Sequence, residues 1–295
     1  MRVTFNLIRD GLSSINTAAD TLARAQEQVA SGRMNRLASD DPSAAQRAIG
    51  DHAELAALDS FTKTNDAVSA RQSAVDSVLS DVIDKLTAAL GTVASAQGTT
   101  ATQAVRDAAA GAIQGIRDGV LGDINSNFQG TALFSGSKTD QTSYVLVGGT
   151  WTYQGDNTLV QASIERGRNV AQTWDGQAIL QGSDPANVLT VLDNLATAIT
   201  AGDAAGMTAG MTALQQAFGR ATQAQSRLGA DENSVADART RLADLRLATD
   251  TQRSKDEDVN LAEAATRMSQ AQVAYRAALS AVAQANQQSL LDYLK

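Results

Sequence analysis

Ile8-Arg9-Asp10-Gly11-Leu12-Ser13-Ser14-Ile15-Asn16-Thr17-Ala18-Ala19-Asp20-Thr21-Leu22 spaces large apolar residues one heptad apart, a ladder that Val29 extends. Leu12, Ala19 and Gln26 stand on its companion positions. A matching ladder lies near the other end: Leu261, Met268, Tyr275 and Val282, accompanied by Ala265, Gln272 and Leu279. A 3.5-residue repeat keeps one seam of a helix turned towards a partner helix. Each ladder covers about 22 residues, roughly 33 Å at 1.5 Å per residue. On pattern alone the plainer reading is a pair of amphipathic helices covering the chain's own core. The other is a pair of sticky ends that assemble with copies or relatives of the same molecule.

Working inward, the chain has two prolines, Pro42 and Pro185, each preceded by aspartate. Asp at N-cap with Pro at N1 is a helix-start signature, because the carboxylate accepts orphan N–H groups and proline needs no partner there. Helical regions are expected from about 42 and 185. The first runs to about Ala96, with Phe61, Val68, Val75 and Val82 one heptad apart and Leu79, Leu86 and Val93 beside them. A returning stripe joins Val105, Ala109, Ile116, Val120, Ile124 and Phe128. Residues 131–184 differ: they are glycine-punctuated and hold both tryptophans. Tyr144–Val147, a Gly148-Gly149 turn and Thr150–Tyr153 read as a β-hairpin, with further strands at 159–164 and 170–174. Helix resumes through Val188, Leu192, Leu195 and Ile199, breaks at Gly202–Gly206, and is interrupted again by the polar run Ser254–Asp258. Asn260 with Glu263 forms a capping-box pair ahead of the last ladder.

The expected fold class is therefore mainly α with a small β insertion: an antiparallel long-helix rod, a coiled-coil bundle, with a β domain at its tip. Residues 1–40 and 255–295 form the terminal coiled-coil assembly region, 41–130 and 185–254 the helical rod, and 131–184 the β domain.

Composition excludes several functions. Alanine supplies much of the 43% apolar content and aromatics only 4%, so long thin helices are favoured over a thick core. A net charge of −8 opposes a nucleic-acid partner, whose phosphates need a basic surface. No segment approaches the roughly 20 apolar residues of a membrane helix. Cysteine is absent, which rules out disulfides and thiolate metal sites.

Three stretches carry a family resemblance: Met1-Arg2-Val3-Thr4-Phe5, Val29-Ala30-Ser31-Gly32-Arg33-Met34-Asn35, and Ser39-Asp40-Asp41-Pro42-Ser43-Ala44-Ala45. With Met268-Ser269-Gln270-Ala271-Gln272 and Ala283-Gln284-Ala285-Asn286-Gln287, they resemble the two ends of the bacterial flagellin family. Asp40-Asp41-Pro42, Phe128-Gln129-Gly130 before Leu133-Phe134-Ser135-Gly136, and the stretch Ser289-Leu290-Leu291-Asp292-Tyr293-Leu294 are similar to its hook–filament junction branch. The resemblance implies a structural part of the bacterial flagellum, extracellular and exported by the flagellar type III apparatus. It implies a ring formed by self-assembly between hook-associated protein 1 and flagellin, with an export chaperone as a further partner. The second reading is flagellin, the filament subunit itself. The resemblance also favours the sticky-end reading, and the assembly interface is then Ile8, Leu12, Ile15, Leu22, Val29, Leu261, Met268, Tyr275, Leu279 and Val282. Alanine-heavy seams with Gln26, Gln272 and Asn286 bury little apolar area, so the ends are expected to order on assembly.

Chemistry has little to stand on. His52 is the only histidine, which excludes an HExxH metal site, and it reads as a solvated helix residue. Ser135-Gly136-Ser137 has no base to activate it. Asp40-Asp41 and Asp256-Glu257-Asp258 lack EF-hand spacing and read as acids at helix starts. Gly148-Gly149 is a turn with no phosphate-binding pattern around it. Trp151 and Trp174 are read as filling the β core, a carbohydrate- or partner-binding surface being the alternative. Arg33, Arg36 and Arg47 flank the Asp40-Asp41 turn and pair with acids of this chain or of a neighbour. No enzyme, cofactor, metal or small-molecule substrate is expected.

Overall fold

The computed structural model describes the backbone of residues 2–34, 37–98 and 101–293, and the side chains of residues 9–34, 37–98 and 101–284. It is mainly helical, with three small antiparallel two-stranded sheets among the described residues. The chain divides into two compact units, residues 1–58 with 244–295, and residues 59–243.

The long helix α2 spans Pro42–Ala96 and starts where Asp41-Pro42 predicts. Asp41 Oδ1 accepts from the backbone N of Ser43 (3.0 Å) and Ala44 (2.9 Å) and from Ser43 Oγ (2.7 Å). These bonds, Ala44's foremost, hold its carboxyl below the usual range. Within the unit of residues 59–243 the heptad row is the core: Val68, Val75, Leu79, Val82, Leu86 and Val93 are all buried.

Helix α3 (Gln103–Ile124) returns, capped by Thr102. Its buried row is Ala109, Ile113, Val120 and Ile124. Val105, assigned to the stripe by spacing, is exposed, because a straight helix of 3.6 residues per turn rotates it away from that row. Phe128 is not helical either. Asn125 ends α3 and its side chain pairs twice with the backbone of Tyr144, Oδ1 accepting from N (2.8 Å) and Nδ2 donating to O (2.9 Å). Strands β1 (Asn127–Phe128) and β2 (Thr131–Ala132) then turn through Gln129 and Gly130, both at positive φ.

Strands β3 (Tyr144–Val147) and β4 (Thr150–Tyr153) pair as the sequence suggests, Val147 opposite Thr150. Gly148 and Gly149 both take positive φ, the requirement of a two-residue type I′ turn. Strands β5 (Gln161–Glu165) and β6 (Arg168–Ala171) form a third hairpin, displaced by a few residues from the expected strands. Trp174 lies beyond β6, its N donating to Leu133 O and its O accepting from Gly136 N.

A short helix α4 (Gly176–Leu180) precedes α5 (Val188–Ala201). Here the proline rule fails: Pro185 does not open a helix. Asn187 is the N-cap, its Oδ1 accepting from Thr190 N (3.0 Å) while its Nδ2 donates to Trp151 O (2.8 Å). One amide serves both the helix and the hairpin, so the helix begins where that residue sits. Asp184 forms an ion pair with Arg220 instead. Gly202, in the left-handed region, ends α5, and α6 runs over Ala204–Glu257. The last helix, α7, is Leu261–Tyr293, and the first, α1, is Arg2–Ser31.

The strands lean on the helices. One large cluster includes Leu79 and Leu86 of α2, Ile113 of α3, Leu192 of α5, Leu214 of α6, and Phe134, Tyr144 and Trp174. Trp151 is half-buried against it, donating Nε1 to Asp193 Oδ2 (2.8 Å), with the Arg117 guanidinium 5.9 Å from its ring centroid. Both indoles therefore contribute to a core shared by strands and helices. A smaller, separate cluster lies under β5–β6: Val68, Ala162, Ile164, Val170, Val235 and Ala238.

Candidate assembly interface

In the unit of residues 1–58 and 244–295, α1 and α7 pack antiparallel. Gly32, at positive φ, lets the chain leave α1, and Gly32 N still bonds to Gln28 O at 3.0 Å. The chain beyond it runs against the α6–α7 joint: Met34 N donates to Glu257 O (2.7 Å) and Val259 N to Gly32 O (2.9 Å), with a bridge between Arg33 and Asp258. Asn260 opens α7, its Oδ1 accepting from Ala262 N (3.1 Å) and Glu263 N (3.4 Å). The reciprocal half of the expected capping box does not form, since the Glu263 carboxylate pairs with Arg267.

The joint is also tied to the start of α2. Arg47 bonds Asp256 (3.0 Å), and His52 Nε2 lies 2.9 Å from Glu257 Oε1. The hydrogen bond from Arg47, followed by that from Gln252, holds the Asp256 carboxyl below its usual range. Arg47 thus takes its acid from within the chain, while Arg36 lies outside the described residues. Among the described residues no three His, Cys, Asp or Glu side chains cluster as metal ligands do.

The expected interface residues fall into two rows. Ile15, Leu22, Val29, Met268, Tyr275 and Val282 are half-buried between α1 and α7. What faces them across the pair is small: Ala25, Ala264 and Ala271 are buried, and Gly11, Ala18 and Ala278 half-buried. These small residues stand three positions after each ladder residue, and spacing alone could have found them. They let the helices approach closely, as bulkier side chains in that row would not. Leu12, Leu261 and Leu279 are instead 54, 58 and 42% exposed, and Val273 is 65% exposed. The side chain of Ile8 lies outside the described residues, as does that of Asn286.

Between these apolar spots α1 presents hydroxyls that need no water. Ser14 Oγ donates to Asp10 O, Thr17 Oγ1 to Ser13 O and Thr21 Oγ1 to Thr17 O, all at 2.8–2.9 Å. They border a shallow groove with Ala18, Ala271 and Ala274. A surface of alanine, exposed leucine and internally bonded hydroxyls can be covered by another helix without stranding a polar group.

The N-terminal helical region of bacterial flagellin matches residues 7–139, and its C-terminal helical region matches residues 211–294. Together they take in well over half of the chain. No curated protein matches it. Among solved structures, a flagellar hook-associated protein of Vibrio parahaemolyticus is 20% identical, with a TM-score of 0.71 over 74% of this chain and 100% of its own. Flagellar hook-associated protein 3 of Legionella pneumophila is 13% identical, with a TM-score of 0.64 over 70% and 97%. FlgL of Bacillus cereus is 20% identical, with a TM-score of 0.61 over 70% and 99%. At these identities the likeness is one of fold.

Proposed function

Because the chain belongs to the bacterial flagellin family, whose members are structural components of the flagellum, we propose that it is the adaptor joining hook to filament. What carries this reading is the likeness in fold to hook-associated protein 3 structures over nearly their whole length. In this proposal the chain forms a ring by self-assembly, with hook-associated protein 1 on the proximal side and flagellin on the distal side. It reaches that place through the flagellar type III apparatus, escorted by an export chaperone. The work is mechanical: helical surfaces that match two differently packed neighbours, with no catalytic step.

The proposed interface is Ile8, Leu12, Ile15, Leu22, Val29, Leu261, Met268, Tyr275, Leu279 and Val282, with a division of labour. The half-buried row holds α1 to α7 within one molecule, and the exposed Leu12, Leu261 and Leu279 meet other subunits. Residues 1–40 and 255–295 serve assembly, 41–130 and 185–254 the helical body, and 131–184 a surface decoration. Since the α1–α7 seam buries mainly alanine, pairing stabilises the ends of a free monomer little. Amide protection across residues 1–35 and 260–295 in the isolated monomer would count against ordering on assembly.

A second reading, the filament subunit itself, draws on the same flagellin helical regions matched at both ends but fits less well than the junction. Immunogold labelling of purified flagella separates the two. A single band at the base of the filament supports the junction, and uniform label along it supports the filament subunit.

A further inference from the structure

The seam between α2 and α6 in residues 59–243 is interrupted by a polar layer. Gln72 is 2% exposed, and neither Nε2 nor Oε1 has a hydrogen-bond partner among the described residues. On α2 it stands between Val68, which belongs to the small cluster under β5–β6, and Val75, which belongs to the large core. On α6, Leu228 of the large core and Val235 of the small one bracket Asp231 and Glu232.

Side-chain bonds give the level of each helix against the other. Gln225 donates to Asp76 and Ser80, and Arg239 donates to Asp66 and Ser69. Halfway between these ties, Gln72 is level with Asp231 and Glu232. Burial pushes both carboxyls above their ordinary values, and Asp76 adds to the shift at Glu232. Asp231 also lines a cavity of about 670 Å3 shared with Trp174, Ile179, Arg220 and Arg227, which gives water a route to one side of the layer.

We infer that this layer is a built-in point of opening: the β5–β6 hairpin lifts from α2 and α6, opening the small cluster, while the large core stays closed. The two apolar clusters share no buried residue across the layer, so opening one does not require opening the other. An unbonded buried amide stabilises the closed seam less than an apolar side chain would. The hairpin's remaining ties can break locally. They include Asn65 Nδ2 to Ile164 O (2.7 Å), the paired bonds of Arg241 to Glu165 (2.8 and 3.0 Å), and Arg168 to Ser234 Oγ (2.9 Å). The inference does not depend on the assembly reading.

Native-state amide exchange on the full chain tests it. Amides of β5–β6 should exchange together, at least about tenfold faster than those near Leu86 and Leu214. Gln72→Leu should slow the first group roughly tenfold and leave the second unchanged. Gln72→Met carries the same expectation should leucine's branching keep the first variant from folding. One common rate for both groups in the unaltered protein, or faster exchange of the first group in the variants, would overturn the inference.

Discussion

Gly11 of α1 faces Val282 of α7 so closely that a Cβ built on the glycine would lie 2.9 Å from Val282 Cγ2. The contact is with a β-branched side chain that has little freedom to turn aside. Gly11→Ala gains helix propensity of up to about 1 kcal/mol, but only by forcing the pair apart. Gly11→Ala should therefore impair assembly, and Val282→Ala combined with it should restore assembly. Pull-down of the variants with isolated hook–filament material is the measurement. Equal incorporation of Gly11→Ala with and without the valine change would refute the close contact.

Both rows of the ladder should matter to assembly. Leu12→Asp places a charge on an exposed spot, so it should leave helix content unchanged and still block incorporation. Leu22→Asp and Val282→Asp put a charge into the half-buried row and should likewise abolish incorporation, with residues 59–243 still folded and, because the ends order on assembly, the monomer's helix content unchanged. Circular dichroism of the monomer beside a motility assay reads both effects. Normal swimming with either inner-row change would contradict the assembly role.

Asn187 holds α5 and β4 with one amide. Asn187→Ala removes the N-cap, worth about 1 kcal/mol, and leaves the Trp151 carbonyl without its donor, a further loss of about 1 kcal/mol. The denaturant midpoint should fall accordingly, with tryptophan emission shifting to the red. Asn187→Asp keeps the cap but not the donor and should fall about halfway. Identical losses for the two variants would show that the hairpin tie contributes nothing.

Tyr144 and Tyr153 should make the fold alkali-sensitive. Burial, with Asp175 adding to it, pushes both phenols far above their ordinary 10.0. The folded pKa is raised, so the stabilisation is complete below about pH 10, where unfolded tyrosine keeps its proton. It is lost as pH rises past that point, because the unfolded chain ionises first. Stability measured at pH 9 and pH 11 should drop, and Tyr153→Phe should make the drop smaller. Absorbance in which all four tyrosines titrate near pH 10 without unfolding would refute the buried environment of these two rings.

Much of this was legible in the residues. Asp41-Pro42 marks the start of α2 because a carboxylate cap and a donorless N1 residue suit a helix start. Gly148-Gly149 marks the hairpin because a two-residue turn needs positive φ twice. The heptad row Val68 to Val93 marks the core because only one face of a long helix can be covered. Those outcomes depend on backbone conformations and periods that neighbouring residues set locally.

The tertiary structure alone decided the rest. A ladder residue has companions three and four positions on, one to each side of the stripe, and the period cannot say which side meets the partner helix. Packing of Gly11, Ala18 and Ala25 against α7 put the small row inside and left Leu12 outside. Asp184-Pro185 has the same local form as Asp41-Pro42, yet Asn187 caps α5 because Trp151, 36 residues earlier, needs its amide. Gln72 lies on an apolar row, and only its position between two clusters shows what a polar residue does there. In each case the outcome rests on a contact between distant parts of the chain, whose free energy outweighs the local preference.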